Sequence, residues 1–172
     1  SVVIIFFDNF LLVEILFGFS KFNLLVFASA NDGTNPDIIT LAFGSGDGDV
    51  TLTNATHSGR ILLVPDGTQD NTYTLPAPIA GSVFRFVYAG GAADGTDALI
   101  ITPGNTNFYI GGITHLDTNA DNVTVFSNGS SNSSVQLNVP QAFDITIMGL
   151  NTTNYQIFGT VTSTTVPAFA DQ

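Results

Sequence analysis

Few residues in this chain are of a type that can do chemistry. Acid–base or nucleophilic catalysis needs a titrating side chain beside a partner, and the chain has two histidines and no cysteine. His57 lies in Asn54-Ala55-Thr56-His57-Ser58-Gly59, a turn ahead of a strand, and His115 follows Ile113-Thr114 at a strand end. Both read as surface or hydrogen-bonded histidines. Ser45, in Gly44-Ser45-Gly46, lacks the G-x-S-x-G spacing of a nucleophile elbow. Asp117-Thr118-Asn119-Ala120-Asp121 has the alternating oxygens that open a calcium loop, yet Asn122 stands where that loop needs glycine and Asn128 where it needs a bidentate glutamate. Asp47-Gly48-Asp49, Asp66-Gly67 and Asp94-Gly95-Thr96-Asp97 read as β-turns. A paired-carboxylate glycosidase would draw two of these carboxylates to a fixed separation, which the sequence of flexible loops does not reveal. The expectation is a protein with no catalytic residue, no metal site and no cofactor.

Composition narrows the partners. Charged residues are 10% of the chain, against roughly 25% in ordinary soluble domains, so the polar surface must be built from Asn, Thr, Ser and Gly. Lys21, Arg60 and Arg85 are the three cations, and the formal charge is -11. Nucleic-acid binding needs cations that displace counterions from phosphate, and this chain has almost none. Anionic membrane surfaces are disfavoured for the same reason. Without cysteine there are neither disulfides nor thiolate metal sites. Sequons begin at Asn54, Asn122, Asn128, Asn132 and Asn151, a number that a chain this rich in Asn, Ser and Thr reaches by chance.

The elements that must position these residues are strands. From residue 31 on, short apolar runs recur between clusters of Gly, Asn, Asp and Ser. They predict strands over 38–43, 50–53, 60–64, 72–75, 82–88, 98–102, 107–110, 122–126, 134–139, 143–148 and 155–162. Turn signals spaced this closely are the pattern of an all-β protein, here an antiparallel, jelly-roll-like β-sandwich over residues 31–172. Period-two placement points Leu75, Phe84, Phe86, Ile100, Ile110, Val125, Ile145, Ile147 and Ile157 inward. Asn31 to Pro36 reads as a linker, and Val166 to Gln172 as an extended arm that leaves the sandwich with Phe169 as its anchor.

Residues 1–30 form a separate apolar arm in this reading. Its first 27 residues hold nineteen Val, Ile, Leu and Phe, including seven of the fifteen phenylalanines. A transmembrane helix has the right length, but Asp8, Glu14 and Lys21 interrupt it, and an acid near mid-bilayer costs roughly 2.5–3.5 kcal/mol. A signal peptide finds a small-residue site at Ala28-Ser29-Ala30 but no basic amino end. Two readings remain: burial against other protein molecules, or completion of the chain's own core. Runs such as Val2 to Phe7 favour strand, while Leu11 to Phe17 fits strand or helix. The first of these two readings makes Phe6, Phe7, Phe10, Leu11, Phe17, Phe19 and Phe22 the assembly contacts, with Phe169 from the tail.

One stretch points to a family. Tyr73-Thr74-Leu75-Pro76-Ala77-Pro78, then Ile79-Ala80-Gly81, then Ser82-Val83-Phe84-Arg85-Phe86-Val87 reads as a β-hairpin corner, with prolines ending one strand and a glycine turning the chain into the next. It resembles the small virion proteins of tailed phages, especially marine and cyanobacterial ones, that decorate or cement the capsid. Ala98 to Thr102, Asn107 to Ile113 with its Gly111-Gly112 strand-turn, and the closing hairpin Phe143 to Gly159 are similar to that family in order and spacing. Tyr155 stands where the family has tryptophan, and residues 1–27 have no counterpart in it. The resemblance implies a β-sandwich on the outer capsid surface of a virion, binding the major capsid protein lattice and itself, as a homotrimer at three-fold positions. The competing reading is an extracellular filament or surface-appendage subunit with residues 1–27 as a helical packing core. A carbohydrate-binding module, resting on Tyr73, Tyr88, Tyr109 and Tyr155, is a third.

Overall fold

The computed structural model describes residues 37–41, 49–66, 68–88 and 97–172, and the backbone alone of 2–7, 10–17 and 20–26. Ser45, Asp47, Asp94, Phe19 and the expected linker at 31–36 lie outside the described residues. The chain divides into two compact units, Ser1–Pro36 and Asp37–Gln172.

The first unit is an antiparallel meander of three strands, β1 (Val2–Phe7), β2 (Phe10–Phe17) and β3 (Ser20–Val26), in the order β1-β2-β3. β-branched and aromatic residues fit a pleated surface better than a helix, and they decide the conformation of β1, where Val-Val-Ile-Ile-Phe-Phe is continuous. The stretch from Leu11 to Phe17, open to either conformation in the sequence, is strand. The helix that the filament reading requires is therefore replaced by strands, and no helix among the described residues is long and apolar enough to cross a membrane.

The second unit is a β-sandwich, as the turn spacing predicts. Its larger sheet has seven strands in the order β11-β10-β14-β13-β8-β6-β4, and its smaller has five in the order β15-β12-β9-β7-β5. These are β4 (Ile38–Thr40), β5 (Val50–Thr51), β6 (Arg60–Val64), β7 (Asn71–Thr74), β8 (Val83–Tyr88), β9 (Ala98–Ile101), β10 (Phe108–Asp117), β11 (Val123–Phe126), β12 (Ser134–Leu137), β13 (Ala142–Gly149), β14 (Asn154–Ser163) and β15 (Ala168–Ala170). The only described helix is the single turn α1 (Asn54–His57), capped by the Thr53 side chain accepting from Thr56 N–H.

Pairing within the sheets is mixed, where the sequence reading expected it to be antiparallel. From β4 to β9 the chain crosses between the sheets at every connection, so β4, β6 and β8 run parallel in one sheet and β5, β7 and β9 run parallel in the other. A later parallel pair joins β10 to β14, and antiparallel pairs β8/β13, β13/β14, β10/β11, β9/β12 and β12/β15 complete the sandwich. The corner at Pro76–Gly81 is accordingly a crossover and not a hairpin: β7 ends in the five-stranded sheet and β8 begins in the other. Stacked sheets lie about 10 Å apart, a gap that the proline-stiffened segment spans. Gly81 takes φ +86 there, and the corner is pinned by Gly81 N–H donating to Gly149 O (2.9 Å) and Gly149 N–H to Ser82 O (2.8 Å).

Both sheets contribute to the core. Leu75, Phe84, Phe86, Ile100, Ile145, Ile147 and Ile157 are buried as the alternation predicts, and Val125 packs against the core from a half-buried position. Ile110 does not: it faces out, because its neighbour Tyr109 takes the inward position and donates its hydroxyl to Ile100 O (3.1 Å). Tyr73 bridges the layers edge-on to Phe86 at 5.9 Å, and within the seven-stranded sheet Phe84 meets Tyr155 edge-on at 6.3 Å.

Two further differences have local causes. Gly111-Gly112 is no turn, since β10 runs through it to Asp117. The glycines serve close approach: a Cβ on Gly111 would lie 2.5 Å from Ile157 O, and one on Gly112 would lie 2.3 Å from Val125 O. The carboxyl tail does not leave the sandwich either. β15 pairs with β12, placing Phe169 opposite Val135, and the Gln172 side chain donates to Thr102 O (2.9 Å) and Ser133 O (3.0 Å). The hairpin from Phe143 to Gly159 is as expected, with Met148 opposite Gln156 and Asn151 Oδ1 capping the turn from Thr153 and Asn154 N–H.

Candidate assembly surface

Strand alternation and the pairing register sort the first unit into two faces. On one, the rows across the meander are Val2–Ile15–Phe22, Ile4–Val13–Leu24 and Phe6–Leu11–Val26, with Phe17 opposite Ser20 at the end. On the other, Val3–Glu14–Asn23 and Leu16–Lys21 place every charged residue of these strands, and Ile5–Leu12–Leu25 and Phe7–Phe10 complete it. One face is thus apolar across all three rows, while the other carries an acid, a base and an amide.

Of the expected contact residues, Phe6, Leu11, Phe17 and Phe22 share the apolar face, whereas Phe7 and Phe10 oppose each other on the mixed one. Simple counting of phenylalanines missed this division, which needed the register. Phe169 belongs elsewhere: its ring packs against the sandwich core and meets Tyr109 edge-on at 6.2 Å.

Several candidate chemical groups among the described residues make structural contacts. His115 is fully buried, its Nε2 within 3.1 Å of Ser163 O and 3.0 Å of Ser163 Oγ, and its Nδ1 has no partner among the described residues. His57 Nδ1 accepts from Thr53 N–H at 3.0 Å. Asp117 Oδ1 caps its own turn by accepting from Asn119 N–H (2.7 Å) and Ala120 N–H (3.1 Å). No cluster of three metal-ligating side chains occurs among the described residues. Tyr73, Tyr109 and Tyr155 are buried, and burial pushes all three hydroxyls well above their ordinary pKa. Tyr88 stacks on Phe143 (5.5 Å, 15°) and donates to Asp66 Oδ1. The buried three cannot form the aromatic platform that the carbohydrate reading drew from them.

On the outer face of the seven-stranded sheet Arg85 holds Asp144 in two hydrogen bonds, Nε–Oδ1 at 2.9 Å and Nη2–Oδ2 at 2.5 Å. The hydrogen bond from Arg85 keeps the Asp144 carboxyl below the usual carboxylate range.

Comparison with known proteins adds no relative. No family, no curated protein and no solved structure matches the chain.

Proposed function

We propose that this chain is a non-enzymatic virion structural protein that decorates or cements a phage capsid, binding the major capsid protein lattice and further copies of itself. The observation that carries the reading is the apolar face of β1, β2 and β3. Fully burying one large aliphatic or aromatic side chain is worth roughly 1.5–3 kcal/mol, so covering three rows of them supplies tens of kcal/mol before costs. Association costs about 4–15 kcal/mol in lost freedom of motion, which such a surface outweighs. The acidic sandwich opposes indiscriminate aggregation. A protein that binds only the assembled lattice stabilises it by mass action. The sequence resemblance supplies the capsid as partner and a trimer as the assembly, and the strands at residues 2–26 favour this reading over a helical filament core.

The test is immunogold labelling and imaging of particles of the virus that encodes the chain. Label at regular positions on the outer shell is expected. Label confined to filaments, or absent from particles, would overturn the proposal.

A further inference from the structure

The outer face of the seven-stranded sheet carries an arrangement that the core does not account for. Phe158 and Phe126, 48% and 70% exposed, project from β14 and β11. Register aligns Arg85, Thr146 and Phe158 across β8, β13 and β14, and sets Phe126 opposite Gly112 on the intervening β10. Gly112 gives the second ring its seat, because a Cβ there would lie 2.8 Å from Phe126 Cδ1. Two strand spacings separate Phe126 from Phe158, about 10 Å. A parallel row holds hydroxyls: Asp144 is opposite Thr160, Thr160 opposite Thr114, and Thr114 opposite Thr124, with the last pair's Oγ1 atoms 3.3 Å apart. Between the rows, Arg85, Asp144, Thr146, Phe158, Gly159 and Thr160 line a shallow depression of about 400 Å³. Gly159 takes φ +145, and a Cβ there would lie 2.2 Å from Asp144 O, so this glycine serves the close approach of β13 to β14.

We propose that this face is a binding site for a neutral carbohydrate, one pyranose ring lying on Phe158 and a second towards Phe126. A pyranose presents C–H groups on one face, which suit the negative face of an aromatic ring. Its edge presents hydroxyl pairs, which the Asp144 carboxylate can accept from while the Arg85 guanidinium donates and the threonine hydroxyls do either. Few polar groups beside an aromatic wall are the usual lining of a small-molecule site. The exposed ion pair and the threonine hydroxyls suit a polar ligand, because sugar hydroxyls can replace the water on the charged pair. A chain of charge -11 repels acidic glycans, which selects neutral ones. This inference is independent of the capsid reading.

Titration of the full chain with cellohexaose, mannohexaose, maltohexaose and N-acetylchitohexaose, followed by amide NMR, tests it. At least one sugar at millimolar concentration is expected to move the amides of Thr146, Phe158, Gly159 and Thr160. Phe158→Ala should weaken binding about tenfold or more, Phe158→Trp should retain it, and Ile79→Ala, at an exposed site outside this face, should leave it unchanged. Silence with all four sugars, shifts centred elsewhere, or undiminished binding by Phe158→Ala would overturn the proposal. So would movement of the same amides with protein concentration alone, which marks an interface between copies.

Discussion

The three buried tyrosines form a matched set on which the packing can be tested by removing single atoms. Tyr109 donates to Ile100 O at 3.1 Å and Tyr155 to Pro76 O at 2.8 Å, whereas the Tyr73 hydroxyl is buried with no partner among the described residues. A satisfied hydrogen bond contributes about 0.5–1.5 kcal/mol, and a buried polar group left unsatisfied costs about 1–3 kcal/mol. Tyr73→Phe removes that cost while keeping the ring and its edge contact with Phe86, so the variant should be more stable by about 1 kcal/mol. Tyr155→Phe, which also strands the Pro76 carbonyl, should be less stable by about 1 kcal/mol, with Tyr109→Phe close to it. Urea unfolding followed by tyrosine fluorescence is the assay: the chain has no tryptophan, and its four tyrosines all lie in the sandwich unit. With a slope of about 1–3 kcal/mol per molar urea, the midpoints of Tyr73→Phe and Tyr155→Phe should separate by roughly 1 M. If Tyr73→Phe loses stability as Tyr155→Phe does, its hydroxyl is hydrogen-bonded and the description of this part of the core is wrong.

Two other predictions concern backbone and pH. Gly159→Ala should cost several times what Gly129→Ala costs: both glycines have positive φ, but the Cβ at 159 would lie 2.2 Å from Asp144 O while that at 129 meets nothing within 4 Å. The second change should cost about 1 kcal/mol, and thermal melts of the two variants compare them directly. Stability should also fall in alkali. The folded-state pKa values of Tyr73, Tyr109 and Tyr155 are raised by burial. Their contribution is therefore fully present below the unfolded value of about 10 and is lost above it, by roughly 1.4 kcal/mol per pH unit for each tyrosine. Urea midpoints measured from pH 8 upward should hold level and then drop beyond about pH 10, with a shallower drop in Tyr73→Phe.

The sequence made the inward residues of single strands legible, because alternation in Val83-Phe84-Arg85-Phe86 and Ile145-Thr146-Ile147 needs no knowledge of partners. It did not show which sheet a strand enters. Pro76-Ala77-Pro78 and Gly81 mark a turn whether the next strand pairs alongside or crosses to the opposite layer, and the parallel pairing of β6 with β8 follows from that unseen choice. Ile110 faces out because Tyr109, equally able to lie inside, gains a hydrogen bond there. The tail's pairing was hidden in three residues, Ala168-Phe169-Ala170, too few to show a period. At the candidate surface the apolar character was plain in the composition, while its restriction to one face depends on which residues of β1, β2 and β3 lie opposite. Phe158 and Phe126 carry no signal in the sequence, since exposure depends on the Gly112 seat and on the register.

The central claim is that the apolar face of the first unit drives assembly. Val13 lies at the centre of that face, in the row Ile4–Val13–Leu24, and Asn23 lies opposite Glu14 on the other. Val13→Lys and Asn23→Lys add the same charge to the full chain, so net charge cannot separate them. An unpaired lysine in a covered apolar surface is strongly unfavourable, while one beside Glu14 is not. Sedimentation velocity, alone and with particles, measures the difference. The account predicts that the parent chain and Asn23→Lys sediment as oligomers and bind particles, while Val13→Lys sediments as a monomer that leaves particles bare. Oligomers and particle binding retained by Val13→Lys, or lost equally by both variants, would contradict it.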